Sequence, residues 1–538
     1  MSRRYHRIAL WRSLFVVGLV AAVAIPRSLH AEPVVSEQPP TENRFYVGEF
    51  RVEGNTLLDP KFVELAVYPY LGENKTIADI ESARQTLEQR YRDAGFPTVL
   101  VNIPPQDVID GVVKLTVVEG RVDRFRITGS RYFSLEDIRK QVPALEEGQI
   151  PYLPAVQEQI SQLNRETADR AVTPILRPGR TPGTLEVELK VKDEFPLHGG
   201  LELNNHYSVN TSKLRLAANL KYDNLWQKQH SFSLQYQNSP EETDEVKVFA
   251  GTYLARFEQS DNLLVVYGVK SDSETETLGE LAVIGKGEIL GVRGVLPLAP
   301  SADYFHSALL GFDYKDFDET VNVVGSDTLQ TPIDYINWSV QYNGTIRHAS
   351  SLTQFGIGPN FGIRGVGNDA QEFDDKRVKS KPNYIYLRGN IEHNRGLVLD
   401  TLLKAKFSAQ VADSPLISNE QFSAGGADSV RGYYEAQALG DYGYVANFEW
   451  YTPSFAPKLS SYVNDFRLLV YADASQLWLR EPLAGQTSEW ELYGAGAGLR
   501  MTAFKTLNIN VDWARALRAL GEVEKNEDRS HFSVEWTF

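Results

Sequence analysis

The last nine residues of the chain constrain its fold more than any other segment, because they alternate strictly between bulky apolar and polar side chains. Phe532, Val534, Trp536 and Phe538 occupy one set of alternate positions, and polar residues occupy the other. Successive side chains of a β-strand point to opposite faces, so this segment predicts a strand with one aromatic face. Such a strand suits the closing position of an outer-membrane β-barrel. A half-buried strand of a soluble protein alternates in the same way, so other features must distinguish a membrane barrel from a soluble protein.

The N-terminal segment predicts a secretory signal peptide over residues 1–31. Arginines form a positive region, an apolar run follows from Leu14 to Ile25, and Ala31 offers a small residue for cleavage. The run is 12 residues long, which is too short to span a bilayer comfortably. Cleavage after Ala31 removes five arginines and no acid, which takes the formal net charge from −15 to −20. We therefore expect an exported chain that is too acidic to bind nucleic acid.

The composition and motifs of the sequence do not support a catalytic function. The chain contains no cysteine, which excludes disulfides, thiolate metal sites and a cysteine nucleophile. We find no GxSxG, HExxH or Walker motif and no cluster of metal ligands. The run Gly494–Gly498 resembles a dinucleotide loop, but no helix follows it, so we interpret it as a glycine-rich strand. The sequence predicts that the protein is not an enzyme and uses no cofactor or metal.

An internal repeat organises the first part of the mature chain. Phe50–Asn55 is echoed by Phe125–Ser130, 75 residues later. A helix N-cap follows in each copy, Asp59 in the first and Ser134 in the second, and each copy ends in a strand opened by a glycine. Each copy predicts a small α+β domain with the order strand, helix, helix, strand, strand.

From residue 194 onwards, long runs of period-two alternation replace the helical pattern, as in Leu403–Val411 and Leu507–Trp513. Alternation alone fits a soluble sandwich or a large barrel with a polar lumen. The predicted signal peptide, the aromatic residue at the C-terminus and the length of the chain favour the barrel. Residues 194–538 number 345, which at roughly 21 residues per strand and connection gives about 16 strands.

The expected organisation is therefore two α+β domains followed by an all-β transmembrane barrel of about 16 antiparallel strands. The expected boundaries are residues 1–31 for the signal peptide, 32–44 for a proline-rich linker, 45–120 and 121–193 for the two domains, and 194–538 for the barrel.

Two charged residues of the barrel segment are candidates for an ion pair. Arg431 lies in a glycine-rich connection, where it could simply be solvated. Inside a lumen, however, its guanidinium would form a rigid fork for a carboxylate. Asp473 interrupts the otherwise apolar strand Leu468–Ser475 and should therefore face the lumen and have a partner.

With these features the chain resembles the TpsB class of two-partner-secretion outer-membrane transporters in the Omp85 superfamily, including the secretion proteins for filamentous haemagglutinin and haemolysin. The two repeats resemble POTRA domains, and the first carries Pro104–Asp107 and Val118–Arg121, as in that class. The hallmark motif VRGY/F at the tip of the sixth extracellular loop is matched by Val430, Arg431, Gly432 and Tyr433. The resemblance implies that this loop folds into the barrel and that Arg431 pairs with Asp473. It also implies that Phe532, Val534, Trp536 and Phe538 form the C-terminal signal for barrel assembly.

The resemblance further implies a location and partners. The barrel should lie in the outer membrane of a Gram-negative bacterium, with the POTRA domains in the periplasm. The main partner would be one large, unfolded, TpsA-like exoprotein, such as an adhesin or haemolysin. Outer-membrane lipid is a second partner, and the barrel-assembly machinery and periplasmic chaperones act during biogenesis. We expect a monomer. Relatives often carry an N-terminal plug helix, but only 13 residues, 32–44, precede the first domain, so pore closure would rest on the sixth loop.

Two other functions remain open from the sequence. An insertase or assembly factor of the same superfamily would usually carry more POTRA domains than two. A substrate-specific porin with periplasmic domains would leave the Val430–Tyr433 motif without a role.

Overall fold

The computed structural model describes residues 44–257, 260–273, 275–278, 281–284, 286–318, 320–322 and 328–538. The predicted signal peptide, its cleavage site at Ala31 and the predicted linker, apart from Arg44, lie outside the described residues. The chain divides into two compact units, which meet in sequence between Gly120 and Arg121. Among the described residues, no helix is both long and apolar enough to cross a membrane.

The first unit is an α+β domain with a three-stranded sheet. The central strand Val112–Glu119 runs parallel to Glu49–Glu53 and antiparallel to Val99–Asn102. Two helices, Pro60–Val67 and Ile77–Asp93, connect the outer strands in sequence. The remaining elements are a small antiparallel pair and a 3-10 turn: Phe45–Val47, Gly72–Lys75 and Tyr68–Tyr70.

Local signals in the sequence determine where these helices begin. The Asp59 side chain accepts a hydrogen bond from the N–H of Lys61, and Pro60 occupies the first helical position. Thr76 and Asp79 form a reciprocal capping box at the start of the second helix. The predicted cap at Asp59 is thus confirmed, and the second helix buries Ala83 and its apolar neighbours against the sheet.

The second unit begins with a domain of the same element order. Its sheet has Thr184–Asp193 at the centre, parallel to Arg121–Thr128 and antiparallel to Arg170–Pro178. The helices are Leu135–Lys140, which Ser134 caps as predicted, and Leu153–Arg165. A 3-10 turn over Pro143–Leu145 lies between them.

The rest of the second unit is a closed barrel in which each strand pairs antiparallel with its neighbours in sequence. The predicted barrel of about 16 strands is confirmed. The barrel strands, numbered first to sixteenth in chain order, are Leu197–Asn204, Arg215–Leu225, His230–Asn238, Lys247–Arg256, Leu263–Ser271, Lys286–Pro297, Tyr304–Asp318, Ile333–Arg347, Ser351–Gly362, Ile385–Gly396, Leu402–Ala412, Tyr442–Tyr451, Val463–Trp478, Glu489–Ala503, Leu507–Ala516 and Asp528–Thr537. The sixteenth strand pairs with the first, with Ser533 opposite Asn204, and so closes the sheet.

The connections at the two ends of the barrel differ in length. At the end that contacts the second α+β domain most of them are short turns, such as 226–229, and the exception is 452–462, which contains a short helix. There the N–H of Ser134 donates to the Gln227 side chain at 2.9 Å, and Gln229 donates to Glu166 at 2.5 Å. At the opposite end the connections are counted in chain order as well. The fifth is 363–384, the sixth and longest is 413–441, the seventh is 479–488 and the eighth is 517–527. Other short elements in the connections are Thr275–Leu278, Leu281–Ile284, Thr320–Asn322, Thr328–Gln330, Ala370–Lys376, Val398–Asp400, Ser418–Glu420, Phe422–Ala424, Ala438–Gly440 and Ala456–Leu459.

The two faces of the wall follow the alternation in the sequence. In the sixteenth strand, Trp536 is 46 % exposed on the outer face, whereas His531 is 4 % exposed on the inner face. Phe538 lies beyond this strand, and its backbone exchanges two hydrogen bonds with that of Gly199 in the first strand, at 3.0 and 3.1 Å. The outer face is therefore apolar, as the hydrocarbon core of a bilayer requires.

Candidate functional site

The sixth long connection, residues 413–441, folds into the barrel and packs on the inner wall. Within it, Phe422–Ala424 and Ala438–Gly440 form a short hairpin that frames the Val430–Tyr433 motif. Val430 and Tyr433 are fully buried. They belong to a core cluster whose wall members are Val445, Leu477, Leu492 and Ala516. Apolar contact with the wall therefore holds the hairpin inside the lumen.

Arg431 and Asp473 form a forked ion pair on the thirteenth strand. Nε of Arg431 donates to Oδ2 of Asp473 at 2.7 Å, and its Nη2 donates to Oδ1 at 2.8 Å. The backbone N–H of Arg431 adds a bond to Oδ2 at 3.2 Å, and Asn447 donates to Oδ1 at 2.8 Å. Because both side chains are buried, the pair is screened little by water or salt. The structure thus places the two predicted residues in contact across 42 positions of sequence.

Arg431 also contacts two further carboxylates, so three negatively charged groups surround its one positive charge. Its Nη1 lies 2.7 Å from Glu449 on the twelfth strand and 3.9 Å from Asp512 on the fifteenth. Its guanidinium carbon lies 3.4 Å from the centre of the Tyr471 ring. Burial alone would lower the pKa of Arg431, but the bonds to Asp473 and the nearby acids raise it above its ordinary value. Arg431 therefore stays charged and links three strands.

Gly432 takes a backbone conformation that favours glycine. Its φ is +99°, and its N–H donates to Nε2 of His531 on the sixteenth strand at 3.1 Å. A Cβ at this position would lie 3.1 Å from the backbone nitrogen of Ala516. The motif thus passes close to the wall at its glycine.

Tyr433 completes the motif through its hydroxyl group. The hydroxyl donates to the carbonyl oxygen of Arg518 at 2.9 Å and accepts from the N–H groups of Tyr493 and Arg518 at 3.3 Å. Arg518 lies in the eighth long connection, so Tyr433 ties the motif to a second connection as well as to the wall. Burial raises the pKa of the Tyr433 hydroxyl.

The glycine-rich run in the fourteenth strand provides the surface on which the motif lies. Gly494, Gly496 and Gly498 all face the lumen, because alternate residues of a strand share a face. A Cβ on Gly494 would overlap the carbonyl oxygen of Arg431, and one on Gly498 would overlap the carboxylate of Asp512. The interpretation as a glycine-rich strand is confirmed, and these glycines make room for the motif.

A second anchor holds the sixth connection on the opposite wall. Glu420, which is 1 % exposed, accepts hydrogen bonds from the hydroxyls of Tyr335 at 2.6 Å and Tyr386 at 2.7 Å. It also pairs with Nζ of Lys315 at 2.5 Å. These partners lie on the seventh, eighth and tenth strands. The second anchor therefore lies far from Arg431 around the barrel.

A third anchor ties the sixth connection to the fifth. Asp441 is fully buried and accepts two hydrogen bonds from the Arg377 guanidinium, at 2.5 and 2.7 Å. It also accepts from the backbone N–H groups of Leu416 at 3.0 Å and Arg480 at 2.6 Å. One carboxylate thus joins the fifth, sixth and seventh long connections.

Apolar side chains fill the mouth of the barrel between the second and third anchors. Phe373, from the helix of the fifth connection, and Leu416 and Ile417, from the sixth, pack against inward-facing apolar residues of the wall. The wall members are Val248, Val269, Ile289, Phe317, Ile333, Tyr335, Tyr386 and Ala412. The outer part of this lumen is therefore closed by a packed core, which removes apolar surface from water.

Deeper in the lumen, next to the motif, the lining is polar. A cavity of about 220 Å³ is bordered by Lys404, Lys406, Arg500, Asp428 and Glu449, among others. Charges of both signs line it, and they can keep an aqueous path solvated. The interior thus combines an apolar closure with a polar cavity.

One group of possible metal ligands lies where the second domain meets the barrel. Oxygen and nitrogen atoms of Asp169, His198 and Asp223 lie within 4.8 Å of one another. His198, itself one of the three groups, lies 3.0 Å from Asp169, and Lys221 lies 3.0 Å from Asp223. The group was not visible as a sequence motif.

Sequence reasoning identified the motif and Asp473 but missed the other partners of the sixth connection. Glu449 could have been noticed, because it is an acid at a polar position of an alternating strand. The even spacing of Gly494, Gly496 and Gly498 also places them on one face. Glu420 and Asp441 lie in a connection without periodicity, and nothing in the sequence distinguishes them from solvated acids.

Comparison with known proteins gives family matches over most of the described chain. Residues 183–501 match the family described as haemolysin secretion/activation protein ShlB/FhaC/HecB. Residues 45–120 match the POTRA domain of the ShlB type.

Individual relatives are distant but match over most of their length. The heme/hemopexin transporter protein HuxB of Haemophilus influenzae is 21 % identical over 468 residues, which cover 83 % of this chain and 79 % of HuxB. The outer membrane transporter CdiB of Escherichia coli is 23 % identical over 480 residues, covering 85 % of this chain and 77 % of CdiB.

Solved structures share the fold. CdiB from Escherichia coli superposes with a TM-score of 0.60 at 20 % identity, covering 95 % of this chain and 93 % of CdiB. BamA from Haemophilus ducreyi lacking POTRA domains 1–3 superposes with a TM-score of 0.57 at 16 % identity, covering 92 % of this chain and all of that one.

Proposed function

Because this chain belongs to the family of haemolysin secretion/activation proteins ShlB/FhaC/HecB, we propose that it exports one unfolded exoprotein across the outer membrane. The family comprises outer-membrane protein transporters of the two-partner-secretion class in the Omp85 superfamily, and its POTRA domains lie in the periplasm. The proposed client is a large, TpsA-like protein delivered to the periplasm in an unfolded state.

One observation supports export most strongly: the lumen already holds a polypeptide segment, the sixth connection, beside a polar cavity. A wall that holds one chain segment by replaceable hydrogen bonds and ion pairs suits the transit of another. Strand edges of the POTRA domains can bind an unfolded client through main-chain hydrogen bonds, which depend little on its sequence. Folding of the client outside the cell would then bias the direction of movement.

The Arg431–Asp473 pair is proposed to pin the sixth connection inside the barrel during this cycle. Breaking a buried pair by removing one partner costs about 3–5 kcal/mol, because an uncompensated charge stays buried. Loss of Arg431 would leave Asp473, Glu449 and Asp512 facing one another. The motif should then leave the wall, and the closed arrangement should be lost.

Charge reversal tests the pin. We expect Arg431→Asp to lower secretion strongly and the double variant Arg431→Asp with Asp473→Arg to restore it in part. Recovery should be incomplete, because the new acid at position 431 would face Glu449. The same exchange at the exposed pair Arg515–Asp528, whose atoms lie 2.7 Å apart, serves as the matched control and should leave secretion unchanged. Normal secretion by Arg431→Ala would show that the ion pair is not needed for secretion.

Deletion of the barrel tests export itself. Cells that produce this protein without residues 194–538 should accumulate one large, signal-bearing exoprotein in the periplasm, while other outer-membrane barrels assemble normally. Mass spectrometry of the periplasm identifies that client, and the product of a neighbouring reading frame is the first candidate. A general loss of outer-membrane barrels would instead indicate an insertase, and unimpaired export of all proteins would favour a porin.

A further inference from the structure

We infer that Asp169, His198 and Asp223 form a binding site for a divalent transition-metal ion that fastens the second α+β domain to the barrel. The inference goes beyond the proposed export function and does not depend on it. Asp169 belongs to the domain, directly before its edge strand Arg170–Pro178, whereas His198 and Asp223 belong to the first and second barrel strands. The expectation that the protein uses no metal missed them, because they are separated by 29 and 25 positions and form no motif.

The barrel supplies two ligands from the inner face of its wall, at the end that contacts the second domain. His198 lies directly opposite Lys221 in the pairing of the first two strands. Asp223 shares the face of Lys221, because alternate residues of a strand point the same way. The domain supplies the third ligand, and the backbone carbonyl oxygen of Asp169 accepts from the N–H of Glu194 at 2.9 Å. Backbone bonding therefore positions all three side chains.

The three ligand atoms already have separations like those around a metal ion. Nε2 of His198 lies 3.0 Å from Oδ1 of Asp169 and 3.8 Å from Oδ2 of Asp223, and all three atoms lie within 4.8 Å of one another. Zinc binds nitrogen and carboxylate oxygen at about 2.0–2.2 Å, so two ligands of a tetrahedral zinc ion lie about 3.4 Å apart. The two printed distances from His198 fall on either side of that value. Small shifts of the side chains would therefore let the three atoms bind one ion, with water completing its shell.

Hydroxyl groups from outside the site orient both carboxylates. Thr167 donates to Oδ2 of Asp169 at 3.3 Å, and Ser231 donates to Oδ1 of Asp223. In each carboxylate the other oxygen is the one that approaches His198. Asp169 is only 9 % exposed, and apart from His198 its Oδ1 has no hydrogen-bond partner among the described residues. Outer hydrogen bonds of this kind to the ligating groups are typical of metal sites.

The charges and ligand types favour a transition-metal cation. Two carboxylates face one imidazole, and the Nζ of Lys221 lies 3.0 Å from Asp223. The Lys221 side chain is half exposed, so it can turn into water when an ion takes its place. A ligand set of one imidazole and two carboxylates suits zinc and its neighbours, whereas Mg²⁺ and Ca²⁺ prefer oxygen ligands alone. We therefore choose Zn²⁺ as the probe.

A bound ion would strengthen a junction that hydrogen bonds and ring contacts otherwise hold. Asn224 and Gln227 donate to the carbonyl oxygen of Tyr132 at 3.2 and 3.1 Å. The rings of Tyr132 and Phe195 lie 5.4 Å apart, edge to face. Neutral hydrogen bonds can exchange with water at a small net cost, whereas a metal ion holds its ligands at fixed distances. Metal binding should therefore restrict the movement of the domain relative to the barrel.

Zinc binding to the purified full-length protein tests the site. The protein carries no polyhistidine tag, is stripped with EDTA and is titrated with Zn²⁺ by calorimetry. We expect one tight site per chain, weakened about tenfold or more by His198→Ala or Asp169→Asn. His348→Ala is the matched control and should bind normally. His348 lies 4.0 Å from Asp303 at another turn of the same barrel end, and no third ligand joins them among the described residues. Binding that survives His198→Ala, or that His348→Ala weakens equally, would overturn the site.

Lys221→Gln tests the same site in the opposite direction. The substitution removes the cation that competes for Asp223, so Zn²⁺ should bind several-fold tighter. A misfolded protein would not gain affinity, so this variant separates loss of a ligand from loss of the fold. Unchanged or weaker binding by Lys221→Gln would contradict a site that includes Asp223.

Spin labels test the link between the domain and the barrel. The chain has no cysteine, so cysteines introduced at Arg180 in the domain and at Val398 in a barrel turn carry the only labels. Both positions are 82 % exposed. Zn²⁺ should narrow the distribution of distances between the labels, EDTA should broaden it again, and His198→Ala should abolish the response. A distribution that stays unchanged while one ion is bound would overturn the link.

Discussion

At the scale of single residues, glycine is as important to the candidate site as charge. Arg431 can reach Asp473 only because the wall beneath its backbone lacks a side chain at Gly494. We expect Gly494→Ala to push the motif from the wall and to lower secretion about as much as Arg431→Ala. Ala495→Val, one residue along and on the lipid-facing side, is the control and should secrete normally. Normal secretion by Gly494→Ala would mean that the motif can bind without this close approach.

At the scale of elements, the sixth connection is a clamped segment with separate anchors at Glu420, Arg431 and Asp441. Glu420→Gln keeps the hydroxyl bonds but leaves Lys315 without its carboxylate, which should cost up to about 3–5 kcal/mol. We expect this variant to expose the sixth connection to added protease on intact cells. Glu522→Gln, in the eighth connection, changes an exposed acid and should not. Equal protection of both variants would show that the anchor at Glu420 does not hold the connection.

At the scale of the whole molecule, packed side chains close the mouth of the barrel, and the proposed export requires this mouth to open. The apolar cluster at its mouth and the motif deeper inside both belong in part to the sixth connection. Deletion of residues 414–440 should therefore raise single-channel conductance well above that of the intact protein in planar bilayers. The intact barrel with its anchors in place should conduct little. An unchanged conductance after deletion would mean that other segments close the pore.

Much of the architecture could be predicted because its signals are local. Helix caps such as Asp59 and Thr76 depend on residues within one turn, and alternation depends on neighbours two positions apart. In residues 239–382 of the sequence, apolar and polar residues alternate less regularly than in the other barrel strands, and the structure gives the reason. There inward-facing positions such as Val269 and Ile289 are apolar, because connections from elsewhere pack on them inside the barrel. A segment with two apolar faces has no clear period.

The sequence by itself determined the class of this protein: a repeat of α+β domains, a barrel of about 16 strands and a loop motif with an arginine in need of a carboxylate. Only the tertiary structure decided which groups meet, because these contacts are distant in sequence. Glu420 and Lys315 are separated by 105 positions, and Arg431 and Asp473 by 42.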